Sequence, residues 1–190
     1  MLLYRYLGAF ALAAPLAAIG AIGAIGATDV TTCLVVRIAD GDTLTARCGA
    51  PGGYQQVKIR LAEIDAPEKA QPFGERSRQS LAAMCAGEQA VLRPTSTDRY
   101  GRSVARVKYR GKDANAEQVR AGMAWAYTQY QSDPIIPRLE RQARAARVGL
   151  WVAEGTAAPP VLPLEWRAAR RARTKHEIYD GYARPCLAPP

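Results

Sequence analysis

Thr32-Cys33-Leu34-Val35-Val36-Arg37-Ile38-Ala39-Asp40-Gly41-Asp42-Thr43-Leu44-Thr45-Ala46-Arg47 contains two β-rich stretches, 32–38 and 43–47, joined through Asp-Gly. That dipeptide between alternating apolar residues is a strong short-range hairpin signal. A third strand is expected over Tyr54 to Ile64, with Val57, Ile59 and Leu61 on one face and Lys58 and Arg60 on the other. The period then changes: from Phe73 to Ala86 it is helical, with Leu81, Met84 and Cys85 on one side and Gly87 at the stop position. Gln89 to Pro94 and Ser103 to Tyr109 follow as fourth and fifth strands. Asp113 is placed to N-cap a short helix ending near Gly122, and Pro134 or Pro137 opens a longer basic helix running to Gly149.

Five short strands with about three helices suit a mainly-β fold with α, a small, partly open Greek-key barrel of the oligonucleotide-binding (OB) type. Strand counting alone leaves a sandwich open. Three regions are expected: an export segment over 1–28, one barrel domain over 29–152, and a Pro-rich linker with a basic extension over 153–190. In the first, Arg5 precedes an almost uncharged run from Leu7 to Ala27. Small residues near its end offer cleavage sites of the small-x-small kind, which favours a signal peptide. The run is also long enough to cross about 30 Å as a helix, so an uncleaved membrane anchor stays open. Either way the chain is expected to be exported, periplasmic or secreted, and monomeric, touching a membrane only through an uncleaved leader.

The chain of 190 residues carries a formal net charge of +9. Lysines and arginines that neutralise phosphates gain affinity by releasing counterions, so a polyanion is the economical partner; a merely soluble basic protein has the same composition. Four cysteines in an exported chain suggest disulfides, with three possible pairings. If Asp40-Gly41 turns the hairpin, Cys33 and Cys48 fall opposite each other and are expected to pair. Cys85 with Cys186 would then staple the tail to the body.

The ionic residues carry the chemistry. Asp42 and Asp65 are candidate cation ligands; oxygen donors select a hard ion, and the one histidine, His176, lies in the tail, which disfavours zinc and histidine-based nuclease chemistry. Two carboxylates, with a backbone carbonyl from Ala66, leave a loose site finished by water and substrate, so Ca2+ is preferred to Mg2+. Asp-Gly-Asp-Thr would also make a good turn with no cation. Glu68, directed by Pro67, is placed to orient or deprotonate a water. Arg60 and Arg102 can each donate paired hydrogen bonds to a phosphodiester whose equatorial oxygens gain charge during attack. In isolation they would be ordinary surface arginines, and Glu68 an ordinary loop residue. Together they make up most of the apparatus for cation-assisted phosphodiester hydrolysis.

Asp40-Gly41-Asp42-Thr43, Arg60-Leu61-Ala62-Glu63-Ile64-Asp65-Ala66-Pro67-Glu68 and Asp98-Arg99-Tyr100-Gly101-Arg102, in that order, resemble the staphylococcal nuclease (thermonuclease) family. The resemblance runs from about Val35 to Trp151 and includes Asn115-Ala116-Glu117-x-Val119-Arg120-x-Gly122. It implies a five-stranded OB barrel with three helices, a single calcium ion, and hydrolysis of DNA and RNA to 3′-phosphate ends, with single strands and breathing duplex DNA as substrates. It further implies calcium carboxylates at Asp42 and Asp65, a phosphate clamp of Arg60 and Arg102, and a general base at Glu68. Thr43 matches a residue near the metal waters, Tyr100 and the lysine-like Arg99 lie near the terminal phosphate, and Tyr127 matches a base-stacking tyrosine. Ala66 departs from a threonine, which leaves its backbone carbonyl available. A catalytically idle OB module, binding nucleic acid or another polyanion at the cell envelope, is the alternative; such modules usually lose the ionic set, which is complete here.

Overall fold

The computed structural model describes residues 30–183, so the apolar N-terminal run and Cys186 lie outside the described residues. The barrel strands are β1 (Thr31–Ile38), β2 (Thr43–Cys48) and β3 (Gln55–Leu61), then, after the two-residue β4 (Ile64–Asp65) and helix α1 (Gly74–Cys85), β5 (Gln89–Thr97) and β6 (Ser103–Tyr109). Short β7 (Lys112–Asp113) leads into α2 (Ala114–Arg120), β8 (Trp125–Ala126), α3 (Ile135–Ala145) and, beyond a Pro-containing connection, α4 (Pro163–Ala183). Strands order as β3-β2-β1-β5-β6, antiparallel throughout, and β3 closes on β6 in parallel. The OB-type barrel expected from the strand pattern is the one formed.

Alternation drives the closure. Cys33 and Val35 of β1, Leu44 and Ala46 of β2, Ile59 and Leu61 of β3, Leu92 of β5, and Ala105 and Val107 of β6 point into one core and are essentially inaccessible. Leu81 and Cys85 of α1 and Ala116 and Val119 of α2 pack on it. A second cluster joins Trp125, Ala143, Leu150 and Trp151, the two indoles edge to face at 5.6 Å, an arrangement favoured by the ring quadrupoles.

Three local details differ from the sequence reading. The third strand breaks at Ala62-Glu63, where Glu63 takes φ 65°, so Ile64 and Asp65 leave β3 and pair with Ala126 and Trp125 instead. Strand β5 runs past Pro94 to Thr97 through an irregularity between Pro94 and Ser96; a proline cannot donate to the ladder, and a bulge accommodates it. Helix α3 stops at Ala145 because Arg147 and Gly149 both take positive φ. The basic tail forms part of a 21-residue helix, α4.

Cys33 and Cys48 are bonded, Cα to Cα 4.5 Å, across the β1–β2 hairpin. The second expected bridge involves Cys186, outside the described residues; among the described residues Cys85 is a free thiol on the inner face of α1, fully buried in the core. Burial, then the charge of Glu88, pushes that thiol up to about 12, so it is a packing residue and not a reactive one. The Cys33–Cys48 bridge closes a loop of 15 residues, and replacing both cysteines by alanine should lower stability by about 3 kcal/mol, measured by urea unfolding with the wild type run under non-reducing conditions.

Candidate active site

The site is assembled where the β1–β2 turn meets the ends of β3 and β4. Asp40 shapes the turn by accepting the Asp42 N–H at 3.1 Å, and the N–H groups of Ala39 and Asp40 both reach back to the Thr43 carbonyl. Gly41 is required by close approach: a Cβ there would lie 1.8 Å from Ser77 Oγ and 2.8 Å from Ala66 Cβ. The turn therefore lies flat against α1 and presents Asp42 inward.

Arg60 is the hub. Opposite Thr43 in the β2–β3 register, it pairs through Nη1 with Asp42 Oδ2 at 2.9 Å and donates through Nη2 to Asp65 Oδ1 at 2.8 Å. Nη1 also donates to the carbonyls of Leu61 and Ile64, which fastens the break between β3 and β4. Asp42 is held from three sides, by Arg60, by the Ala66 N–H at 2.7 Å on Oδ2, and by the Thr43 hydroxyl at 2.9 Å on Oδ1. Thr43 in turn accepts from Arg102 Nη1 at 3.4 Å. Arg102 is aimed by Asp98, which takes its Nε–H at 2.7 Å and caps the intervening turn by accepting the N–H groups of Tyr100 and Arg102. Burial pushes the Asp98 carboxyl up, and these hydrogen bonds outweigh it, leaving it below the usual carboxylate range.

Glu68 sits on the loop after β4. Its carbonyl accepts from Gln71, its N–H donates to the Gln71 side chain, and a Cβ on Gly74 would collide with its carbonyl at 2.0 Å, which fixes the loop against the start of α1. Its carboxylate bonds Arg167, a residue of α4 whose Nη2 also lies 3.6 Å from Asp65 Oδ2. Contacts thus run without a gap from Arg102 through Thr43, Asp42, Arg60, Asp65 and Arg167 to Glu68. Tyr100 is exposed, with the guanidinium groups of Arg99 and Arg102 at 4.9 and 5.4 Å from its ring centre and Arg99 donating to its hydroxyl. Tyr127 follows β8, its N–H on the Glu63 carbonyl and its hydroxyl donating to Gln129.

The carboxylates are crowded. Burial, then the charge of Asp42, raises Asp65 to about 6, with Arg60 and Arg167 pulling the other way. Burial and Asp42 likewise raise Asp40 to about 7. Such a group is complementary to added positive charge. Among the described residues no three His, Cys, Asp or Glu side chains converge as a closed metal cage. The two carboxylates are oxygen donors of the kind that fit a hard divalent cation, which completes its shell with water in flexible geometry.

Several site residues had no functional signal of their own in the sequence. Asp98 is legible only as an aspartate four residues before Arg102. Asn115 reads as part of a framework and Gln118 only as an unspecified position inside it, yet both are fully buried: Asn115 accepts the Val107 N–H and donates to the Ala62 carbonyl at 2.8 Å, while Gln118 donates to the Gly41 carbonyl at 2.7 Å and accepts from Ser80. Helix α2 therefore clamps both the metal-side turn and the strand break. Arg106, bonded to Glu63, Asp113 and Asp133, secures the same break from outside.

A five-stranded OB barrel with a carboxylate and arginine cluster at one hairpin defines the class. A profile described as staphylococcal nuclease homologue matches residues 58–153, half of the chain. A Haemophilus influenzae protein called an uncharacterized endonuclease is 44% identical over 128 residues, covering 67% of this chain and 70% of its own. A Shigella flexneri protein called micrococcal nuclease is 40% identical over 128 residues, covering 62% of this chain and 71% of its own. An Escherichia coli O157:H7 protein, also called an uncharacterized endonuclease, is 41% identical over 118 residues, with 62% and 74% covered. The chain belongs to the staphylococcal nuclease family.

Asp98 touches neither Asp42 nor Asp65 and holds Arg102 together with the turn that carries it. Asp98→Ala should cost about 1 kcal/mol of stability through the lost turn bonds while lowering kcat/KM on a DNA substrate by about 10- to 100-fold, the usual consequence of a misplaced guanidinium; an unchanged kcat/KM would mean that Arg102 needs no such support.

Proposed function

We propose that the protein is an exported, calcium-dependent nuclease that hydrolyses phosphodiester bonds of DNA and RNA and leaves 3′-phosphate ends. The observation that supports it most directly is the continuous contact chain linking Asp42, Arg60, Asp65, Glu68 and Arg102 in a member of the staphylococcal nuclease family. The names of the relatives, endonuclease and micrococcal nuclease, support the same reaction class.

In this reading Asp42 and Asp65, with the Ala66 carbonyl, would hold calcium, and Thr43, bonded to Asp42, would be near its waters. The bound ion would supply positive charge to a phosphate oxygen. Arg102 and the unused hydrogens of Arg60 donate to the equatorial oxygens as charge builds on them. Glu68 takes the proton of the attacking water, the bond to the 5′ oxygen of the next nucleotide breaks, and that oxygen leaves as the 5′-hydroxyl by taking a proton from solvent. Arg60 has two duties, because its Nη1 is committed to Asp42 and two carbonyls. Its replacement leaves buried carboxylates uncompensated, a loss of about 3 to 5 kcal/mol. Arg99 and Tyr100 form a charged, aromatic platform suited to a terminal phosphate, and Tyr127 to a base. Single strands and breathing duplexes follow from a site that needs access to one backbone. The apolar run over 7–27 and the Cys33–Cys48 bridge support export, since disulfides persist in oxidising compartments.

Digestion of single-stranded DNA with calcium and with excess chelator, beside Arg102→Ala and Glu68→Ala, tests the mechanism. Chelation should abolish cleavage, and each variant should lose about 100-fold or more in kcat. Equal cleavage in all four arms would remove the mechanism.

A further inference from the structure

The C-terminal helix carries an arginine into the site. Residues 163–183 lie beyond the 58–153 span that matches the family profile, and the first turns of α4 are docked on the loop that bears Glu68. Pro163 is buried, Gln71 Nε2 donates to the Val161 carbonyl at 2.5 Å, and Trp166 lines one shallow pocket together with Gln71, Pro72 and Phe73. This seating delivers the neighbouring Arg167, whose guanidinium bonds Glu68 through Nη1 and faces Asp65 Oδ2 at 3.6 Å through Nη2. Asp65 Oδ1 is already bonded to Arg60, so both oxygens of that carboxylate face a guanidinium.

From this geometry we infer that α4 is an autoinhibitory strap, in which Arg167 competes with the divalent cation for Asp65 and occupies Glu68 until cation and nucleic acid displace it. The inference rests on the roles proposed above for Asp65 and Glu68. A cation that binds Asp65 must share or take Oδ2, and two positive charges within a few ångströms on one carboxylate repel each other strongly in a partly buried setting. The Glu68 oxygen that accepts from Arg167 is likewise engaged and not free for a water. The strap is suited to release: Arg167 and Glu68 are each about 38% exposed, and the exposed Arg170, Arg171 and Arg173 continue along the same helix. A nucleic-acid backbone can draw these arginines off the site, so substrate would relieve the block it meets.

The test is calcium binding to the full chain by titration calorimetry, with wild type, Arg167→Ala and Arg167→Lys. Arg167→Ala should bind calcium about tenfold more tightly or better, within the usual range of coupling between sites, and Arg167→Lys should fall between. Trp166→Ala, which loosens the helix without touching the ion pairs, should shift affinity in the same direction. By reciprocity, calcium should speed hydrogen exchange in 163–174 of the wild type. Equal calcium affinity in wild type, Arg167→Ala and Trp166→Ala would overturn the strap while leaving the calcium nuclease standing. Unchanged calcium affinity with a tenfold or greater loss of cleavage in Arg167→Ala would also overturn it, making Arg167 a phosphate contact. Absence of calcium binding in every chain would overturn the strap and the calcium reading together.

Discussion

The fork of Arg60 between Asp42 and Asp65 is the constraint on which the rest of the site depends. Two buried carboxylates from segments 23 positions apart in the numbering would repel each other and resist desolvation; one planar guanidinium bonds both and also satisfies two backbone carbonyls. Arginine suits this position where lysine would not, because its donors are fixed in a plane that matches two acceptors at once. The arrangement ties the tip of one hairpin to the end of another strand, so the fold and the charge cluster are secured by the same contacts.

Those contacts need rigid ends to hold. The barrel supplies one end through closure, since the parallel pairing of β3 with β6 sets Arg60 opposite Val104, two residues beyond Arg102. Helix α2 supplies the other through Asn115 and Gln118, whose amides bond the Ala62 and Gly41 carbonyls from inside the core. Buried amides of this kind stabilise only when every bond is made. Here the bonds fall on the two places where the backbone leaves regular structure, the Asp40–Thr43 turn and the Ala62–Glu63 break. The irregular backbone carries the reactive groups, and the regular elements are spent on holding it still.

What could be read from the sequence follows this division. The five barrel strands announce themselves because one face of each is apolar at period two, and Asp-Gly between Ile38 and Thr43 marks a hairpin whose register then brings Cys33 against Cys48. Asp42, Arg60, Asp65, Glu68 and Arg102 were legible as a set because three short ionic stretches, 40–43, 60–68 and 98–102, follow one another in an order that resembles the family's. The break at Glu63 was not legible: its positive φ is held by Arg106, which also bonds Asp113 and Asp133, partners distant in the chain. The full burial of Cys85 was not legible either, because it depends on packing, which cysteine counting ignores. Arg167 had no local signal at all, being one arginine among several in a basic tail whose docking depends on Gln71 and Trp166.

Under the proposed cation-assisted reading, the distribution of arginines explains how a chain of such positive charge would keep a site for cations. Asp42 and Asp65 share Arg60, Asp98 holds Arg102, Glu63 holds Arg106, and Glu68 holds Arg167. These five acidic groups are thus each met by a guanidinium, but the pairs are not equivalent. Arg60 and Arg106 are largely buried and bonded to backbone or several acids, so they belong to the folded framework, whereas Arg102 and Arg167 are more exposed. Exposed ion pairs contribute little to stability, so exchanging their partners for a phosphate or a cation perturbs the fold little. Strong pairs inside and weak pairs at the mouth let one cluster hold the barrel together and still trade ions with its substrate.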